Sequence, residues 1–310
     1  MKMNNEILNL NDLEIDKENE DVKYNDKLHK YWTKEDNQFC ISVTTLIHKF
    51  TTFDEDFWSS YKALESLVSE DDFLKVKTEL LNTKKFNVNL LSEVNIIEDE
   101  FNERKKEILL EWQEKREASC VRGTAIHKQL EDGHLSGDTK ELHYLKLGGS
   151  FKTDTSNRIK RGTRGIYPEL LLSRISPDGK LRLAGQADLI IIDGDDVYIL
   201  DYKTSKKIDT KSYFDRKTKR HSTMKYPLNN IQDVNFWHYT LQLSTYAWMI
   251  QKIDPNFNIK MLLLFHYDHD GKLNIHECEY RKNDVERMLA YYKKQIEYED
   301  FKADRQKIIF

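Results

Sequence analysis

Residues 185–207 read GQADLIIIDGDDVYILDYKTSKK. Two apolar runs, 189–192 and 197–200, flank Asp193-Gly194-Asp195-Asp196, the residue types that a tight hairpin turn needs. A two-residue or a four-residue loop gives the same register. Ile192 then faces Val197, Ile190 faces Ile199, Asp188 faces Asp201 and Gln186 faces Lys203, all on one sheet face because side chains alternate with period two. Directly opposed carboxylates in a sheet sit roughly 4.5–5.5 Å apart at Cβ and repel. A divalent cation between them removes the repulsion, and oxygen ligands of this kind suit Mg²⁺ or Mn²⁺. A lysine beside such a cation can stabilise or deprotonate groups at a phosphorus centre.

Upstream, Tyr167-Pro168-Glu169-Leu170-Leu171-Leu172 and the turn residues Ser176-Pro177-Asp178-Gly179 predict another strand and a second hairpin. With a loop of two or four residues, Ile175 faces Lys180 and Glu169 faces Gln186, which puts Glu169 on the face of Asp188, Asp201 and Lys203. A lone Asp-x-Lys is unspecific in so charged a chain. Three acids and a lysine on one face point instead to a metal site.

The series Gly123-Thr124-Ala125-Ile126-His127, Glu169, Gly185-Gln186-Ala187-Asp188, Asp201-Tyr202-Lys203 and Gln242-Leu243-Ser244-Thr245-Tyr246 resembles, in order and spacing, the RecB-type branch of the PD-(D/E)xK nucleases. Ile41-Ser42-Val43-Thr44-Thr45-Leu46-Ile47 is similar to the opening segment of phage exonucleases and of the mitochondrial genome maintenance exonuclease, so the likeness runs from about residue 24 to about residue 253. The resemblance implies a restriction-endonuclease-like fold. It implies His127, Asp188, Asp201 and the Tyr202 carbonyl as metal ligands, Lys203 as the catalytic lysine and Glu169 beside the metal. It further implies that Gln242 and Tyr246, one helical turn apart, hold the active-site lysine and the DNA strand, and that Ser42 contacts nucleic acid. By themselves a Gln and a Tyr on an amphipathic helix with Trp237, Leu241 and Trp248 read as ordinary packing and surface residues.

Some members of that group carry four cysteines around an iron–sulfur cluster. Here Cys40, Cys120 and Cys278 are isolated and show no CxxC spacing, so no cluster is expected. Three scattered cysteines also argue for a reducing compartment. Residues 1–26 carry eight acids and three lysines and lack an apolar signal core, which counts against secretion and mitochondrial import and predicts a cytoplasmic protein of a bacterial or phage-infected cell. The segment reads as a disordered acidic tail. Its net charge of about −5 accounts for the formal −4 of the 310-residue chain, whose overall sign is therefore uninformative about DNA. No apolar run is long enough to span a membrane.

Local charge is more telling. Between residues 203 and 225 there are nine lysines and arginines against two aspartates, interleaved with Tyr213 and Phe214. Lys206, Lys207, Lys217, Lys219 and Arg220 in this loop are candidate phosphate contacts, with Tyr213 and Phe214 as stacking platforms. Arg158, Lys160, Arg161 and Arg164 form a second basic cluster before Glu169, of which Arg161 and Arg164 are taken as further contacts.

The coarse pattern predicts a hairpin from 29–33 and 39–43, a mainly helical part through residue 132, and a sheet core over 165–280 that includes a helix at 235–253. Within the helical part, 94–117 reads as one long helix and 123–131 as a separate short helix bearing His127. A terminal helix follows from residue 283. The expected architecture is α/β: one nuclease domain from residue 27 onward, with a mixed sheet flanked by helices. The expected activity is that of a Mg²⁺- or Mn²⁺-dependent DNA exonuclease on single-stranded or frayed ends. A catalytically silent DNA-binding subunit of a recombination or packaging complex, and an endonuclease of the same superfamily, are the alternatives. The intact acidic set argues against the first of these. No G-x-x-x-x-G-K-[ST] loop is present, so no ATP is expected and a helicase or recombination partner would be a separate chain.

Overall fold

The computed structural model describes residues 14–138, 140–215 and 219–308. Strands β1 (Lys17–Glu18), β2 (Val22–Asn25), β3 (Lys30–Thr33) and β4 (Phe39–Ser42) lead into helix α1 (Val43–His48). Helices α2 (Glu55–Leu67), α3 (Glu70–Thr83), α4 (Asn89–Glu93), α5 (Glu98–Leu135) and α6 (Lys140–Tyr144) follow. Next come β5 (Lys152–Thr153), β6 (Thr163–Ile175), β7 (Arg182–Gly194), β8 (Asp196–Lys203), β9 (Phe214–Asp215) and β10 (Arg220–His221). The chain then forms α7 (Asn235–Ile253), β11 (Asn258–Tyr267), β12 (Leu273–Cys278) and α8 (Lys282–Ile308).

The chain divides into two compact units, Thr52–Ala125 and the remainder. In the first, Asp54 and Ser69 cap α2 and α3 by accepting from Phe57 N and Asp72 N, and acids in the first turn of each helix complement its dipole. Phe57, Tyr61, Leu64, Phe73, Leu80 and Phe101 form its core.

The second unit is built on a mixed sheet that has ten strands among the described residues, in the order β1-β2-β3-β4-β7-β8-β11-β12 with β6 on β7 and β5 on β6. The expected sheet with helices on both faces is present. Residues of α1, α7 and α8 such as Leu46, Leu243 and Met288 pack with Ile190, Ile192, Val197 and Ile199 on one face. Leu130 of α5 and Leu142 of α6 pack with Leu189, Ile191, Leu200 and Tyr202 on the other. Each such side chain removed from water contributes roughly 1.5–3 kcal/mol.

Strand β7 positions the site. It pairs with β6 from Thr163↔Gly194 to Ile175↔Arg182. On its other side it runs parallel to β4 at Leu183 and Ala184, then antiparallel to β8 from Leu189 onward. Asp188 sits where the second neighbour changes.

The β7–β8 hairpin has the expected register, with Ile192↔Val197 and Ile190↔Ile199 around a two-residue turn. Gly194 there has φ 68°, a left-handed conformation that favours glycine. The β6–β7 loop is longer than the two or four residues expected. Ile175 pairs with Arg182 instead of Lys180, which moves the position opposite Glu169 from Gln186 to Asp188. The two helices read as 94–117 and 123–131 are one, α5, because an interior glycine such as Gly123 weakens a helix by only about 1 kcal/mol without ending it. Residues 17–25, read as the end of the acidic tail, form β1 and β2, with Val22 and Tyr24 buried against the sheet. Residues 1–13 of that tail lie outside the described residues. Among the described residues no helix is long and apolar enough to cross a membrane.

Candidate active site

Regular alternation breaks at the same level in two neighbouring strands. On β6 both Tyr167 and Leu170 enter the α7-side core, and on β7 so do both Ala187 and Ile190, which strict alternation forbids. Glu169 lies within the β6 break at φ 49°, a left-handed backbone rare for a residue with a side chain. Such conformations cost on the order of 1–3 kcal/mol and concentrate at functional sites. The same level of the sheet is where β7 exchanges β4 for β8. The acids therefore meet at a kink, and a regular pleat does not bring them together.

His127, Glu169 and Asp188 offer ligand atoms that all lie within 4.8 Å of one another. His127 Nδ1 is 3.9 Å from Glu169 Oε1 and 3.6 Å from Asp188 Oδ2. The Tyr202 backbone joins the group at both ends: its N–H donates to Asp188 Oδ2 at 2.7 Å, and its carbonyl accepts from His127 Nε2 at 2.9 Å. That bond puts the hydrogen on Nε2 and leaves the Nδ1 lone pair toward the two acids. Asp201 does not complete this triangle. It is buried and held from two sides, by Lys203 Nζ at 2.6 Å from Oδ2 and by Gln242 Nε2, which donates to Oδ1 at 3.1 Å.

The electrostatics follow from burial. Desolvation, reinforced by the Asp188 charge, pushes the Glu169 carboxyl up to about 8. Burial also raises Asp201, to about 6, with Lys203 opposing the shift and Asp188 adding to it. Burial disfavours the Lys203 ammonium, but Asp201 and Asp188 outweigh it and hold the lysine above its ordinary range. Repelling, desolvated carboxyls flanked by an imidazole are a donor set that fits a divalent cation.

A stability consequence can be checked in chelator. Glu169 has a folded value above its unfolded one, near 4.5, so its contribution is fully present below about pH 4.5 and is lost as pH rises through about 8. The thermal midpoint of metal-free protein is expected to fall across that window, and Glu169→Gln to flatten the fall. Parallel profiles for the two proteins would show that Glu169 is not the group responsible.

The remaining expected site residues spread out. Gln242 reaches the site through Asp201 rather than through Lys203. Tyr246 is buried, packed where a Cβ on Gly185 would stand 2.9 Å from its ring, so it braces the strand before Asp188 and is not open to a DNA strand. Ser42 caps α1, accepting from Thr45 N at 3.0 Å, at the end of the strand that pairs with Ala184. Arg161 pairs with Asp195 and Asp254, and Arg164 with Asp193, at the turn end of β7 and away from Asp188. Lys207 pairs with Asp209. Lys206, Tyr213, Phe214, Lys219 and Arg220 are exposed, with Phe214 and Arg220 in the small β9–β10 ribbon and Tyr213 and Lys219 next to them in sequence, and Lys217 lies outside the described residues.

Three side chains escaped the sequence reading. Tyr239 places its ring under Lys203 Nζ at 4.8 Å and lies three residues before Gln242, a spacing that shares a helix face. His134 and Glu141 are buried and bond the Tyr202 hydroxyl. Recognising α5 as continuous would have exposed His134, which lies two turns beyond His127.

Residues 94–307 match the family described as the PD-(D/E)XK nuclease superfamily. No curated protein matches the chain. Among solved structures it is similar to SSO0001, at 19% identity and a TM-score of 0.26, over 42% of this chain and 50% of that one. It is also similar to a protein from Eubacterium rectale described as a "putative exonuclease", at 12% identity and a TM-score of 0.30, over 83% of this chain and 66% of that one. The chain thus spans less than two thirds of either structure's length.

Proposed function

This chain belongs to the PD-(D/E)XK nuclease superfamily, and from that premise we propose that it is a Mg²⁺- or Mn²⁺-dependent exonuclease of the RecB-type branch. The nuclease domain expected from residue 27 onward also takes in β1 and β2, and its substrate is single-stranded or frayed DNA ends. The observation that carries this reading is the meeting of His127, Glu169 and Asp188 beside a buried Asp201–Lys203 pair. His127, Glu169 and Asp188 would hold the ion, and the Tyr202 carbonyl, which accepts from His127 Nε2, orients the imidazole instead of reaching the ion. When bound, a divalent cation polarises a phosphodiester and lowers the pKa of a water. Lys203, kept charged by Asp201, is placed to stabilise charge on the phosphorus-bound oxygens. Gln242 and Tyr239 restrict where its ammonium can go. The three cysteines are free thiols, in keeping with action in the cytoplasm. A helicase or recombination partner would be a separate chain.

The test uses end-labelled linear and covalently closed single-stranded DNA, with Mg²⁺ or Mn²⁺ and with chelator. Cation-dependent loss of the linear form alone is expected. Cutting of the circle would make the protein an endonuclease, and binding without cleavage in either cation would make it a silent DNA-binding subunit. The cation should also raise the thermal midpoint, since a ligand at 100 times its Kd adds about 2.7 kcal/mol. Asp188→Asn should erase that rise.

Substrate preference rests on the exposed ribbon. Neutralising Lys217, Lys219 and Arg220 together should weaken all DNA binding and lower the salt slope by roughly 0.7 per lost contact on single strands. Replacing Tyr213 and Phe214 with alanine should cost about 1–3 kcal/mol per unstacked base, on single-stranded ends more than on duplex, with the slope unchanged. If the basic triple variant keeps the parental slope, the DNA takes another path.

A further inference from the structure

Tyr202 is gripped from both ends by one face of α5. His127 and His134 are seven residues apart, almost two full turns, and so point the same way. The first meets the Tyr202 carbonyl at 2.9 Å and the second meets its hydroxyl at 3.0 Å through Nε2. The phenol donates its hydrogen to Glu141 Oε1 at 2.8 Å, so its oxygen accepts from His134. His134 Nδ1 in turn lies 3.8 Å from Glu141 Oε2. The residues come from three separate elements, α5, α6 and β8, and His134, Glu141 and Tyr202 are each no more than 2% exposed.

We infer that the His134–Tyr202–Glu141 network is a positioning device for the metal centre. A side chain in an apolar core needs no hydroxyl, and the surroundings of this one, Leu200, Leu263 and Phe265, are apolar. The hydroxyl and its two buried partners fix the rotation of Tyr202 about its own backbone. That backbone is the part of the residue at the site, with its N–H on Asp188 and its carbonyl on His127. Because His134 and His127 share a helix face, the same contact sets the register of α5 on β8 and thereby the height of the His127 ring. Buried hydrogen bonds rigidify the groups they join, and outer partners of metal ligands commonly alter affinity 10–100-fold. Tyr202, His134 and Glu141 are thus positioning residues, whereas the ligands themselves are His127, Glu169 and Asp188.

The inference rests on the reading of the site as a divalent-cation site, and the experiment separates the two. Mn²⁺ binding is titrated calorimetrically on the full chain, well below the unfolding transition, for the parent and for Tyr202→Phe, Glu141→Leu and Glu141→Gln. A parent that binds no Mn²⁺ overturns the metal reading and this inference with it. With a binding parent, Tyr202→Phe and Glu141→Leu are expected to lose about tenfold or more in affinity, and Glu141→Gln, which keeps an acceptor for the phenol, to retain it. DNA binding in chelator should not change. A merely structural role would lower the thermal midpoint of these variants and leave their Mn²⁺ affinity at the parental value, and that result overturns the inference. Should Tyr202→Phe not fold, His134→Phe, Glu141→Leu and Tyr202→Phe combined removes the polar side-chain groups of the network together, so that none of them is left without its partner. Parental Mn²⁺ affinity in that triple variant would be equally fatal.

Discussion

Asp188→Asn is expected to reduce cleavage by on the order of 10³-fold, a loss equivalent to several kcal/mol of charge stabilisation by the cation, while fold and DNA binding persist. The asparagine oxygen can still accept from Tyr202 N, so the kink keeps its hydrogen bond, and one of two repelling carboxylates near His127 disappears. The metal-free variant should for that reason melt no lower than the parent. Asp201→Asn should abolish cleavage too, but at a structural cost that Asp188→Asn lacks. It removes the counter-charge of a lysine only 18% exposed, and breaking a buried pair from one side costs about 3–5 kcal/mol. Cleavage rates, DNA binding in chelator and thermal midpoints of the two variants separate these effects. Cation-dependent activity retained in Asp188→Asn would remove Asp188 from the metal site.

Lys203→Ala should lower turnover by roughly 10²–10⁴-fold, the range of a positioned proton-transfer or charge-stabilising group, with KM for DNA little changed. The ammonium lies 2.6 Å from Asp201 Oδ2 and over the Tyr239 ring, an arrangement that leaves it few other positions. Its loss leaves Asp201 buried beside Gln242 alone, so the variant should also be less stable in chelator. Single-turnover rates at saturating Mg²⁺ or Mn²⁺ decide the matter. An unchanged rate would make Lys203 a structural counter-ion for Asp201 and nothing more.

The β7–β8 hairpin was legible in the sequence because everything that sets it is local. A glycine in a two-residue turn fixes the register, and the apolar runs on either side then pair as their spacing requires. Helix α7 could be read with the same bounds, since a continuous periodic segment needs no distant partner. Its i, i+4 spacing correctly put Gln242 and Tyr246 on one face, although only Gln242 reaches an active-site acid. Glu169 and Asp188 could also be put on one face, but through a regular pleat that the structure does not have, whereas His127 joins them in the sequence only through the family resemblance.

What tertiary structure decided was the geometry of that meeting. Whether β7 keeps its alternation through Asp188 depends on which strand lies beside it, and there β4 gives way to β8, two strands far apart in the sequence. No pattern within 185–207 carries that information. The same holds for Asp201. Its period-two position predicts a partner in Asp188, yet Lys203 supplies the counter-charge and Gln242 a hydrogen bond in a buried setting, and the carboxylate turns to them. The α5 contacts of Tyr202 were hidden for a related reason. Gly123 reads locally as a break, but packing carries the helix on to His134 and so brings a second histidine to the residue whose backbone joins the site. Turns and periodicity act over a few residues, whereas the facing of a buried charge is settled by every element packed around it.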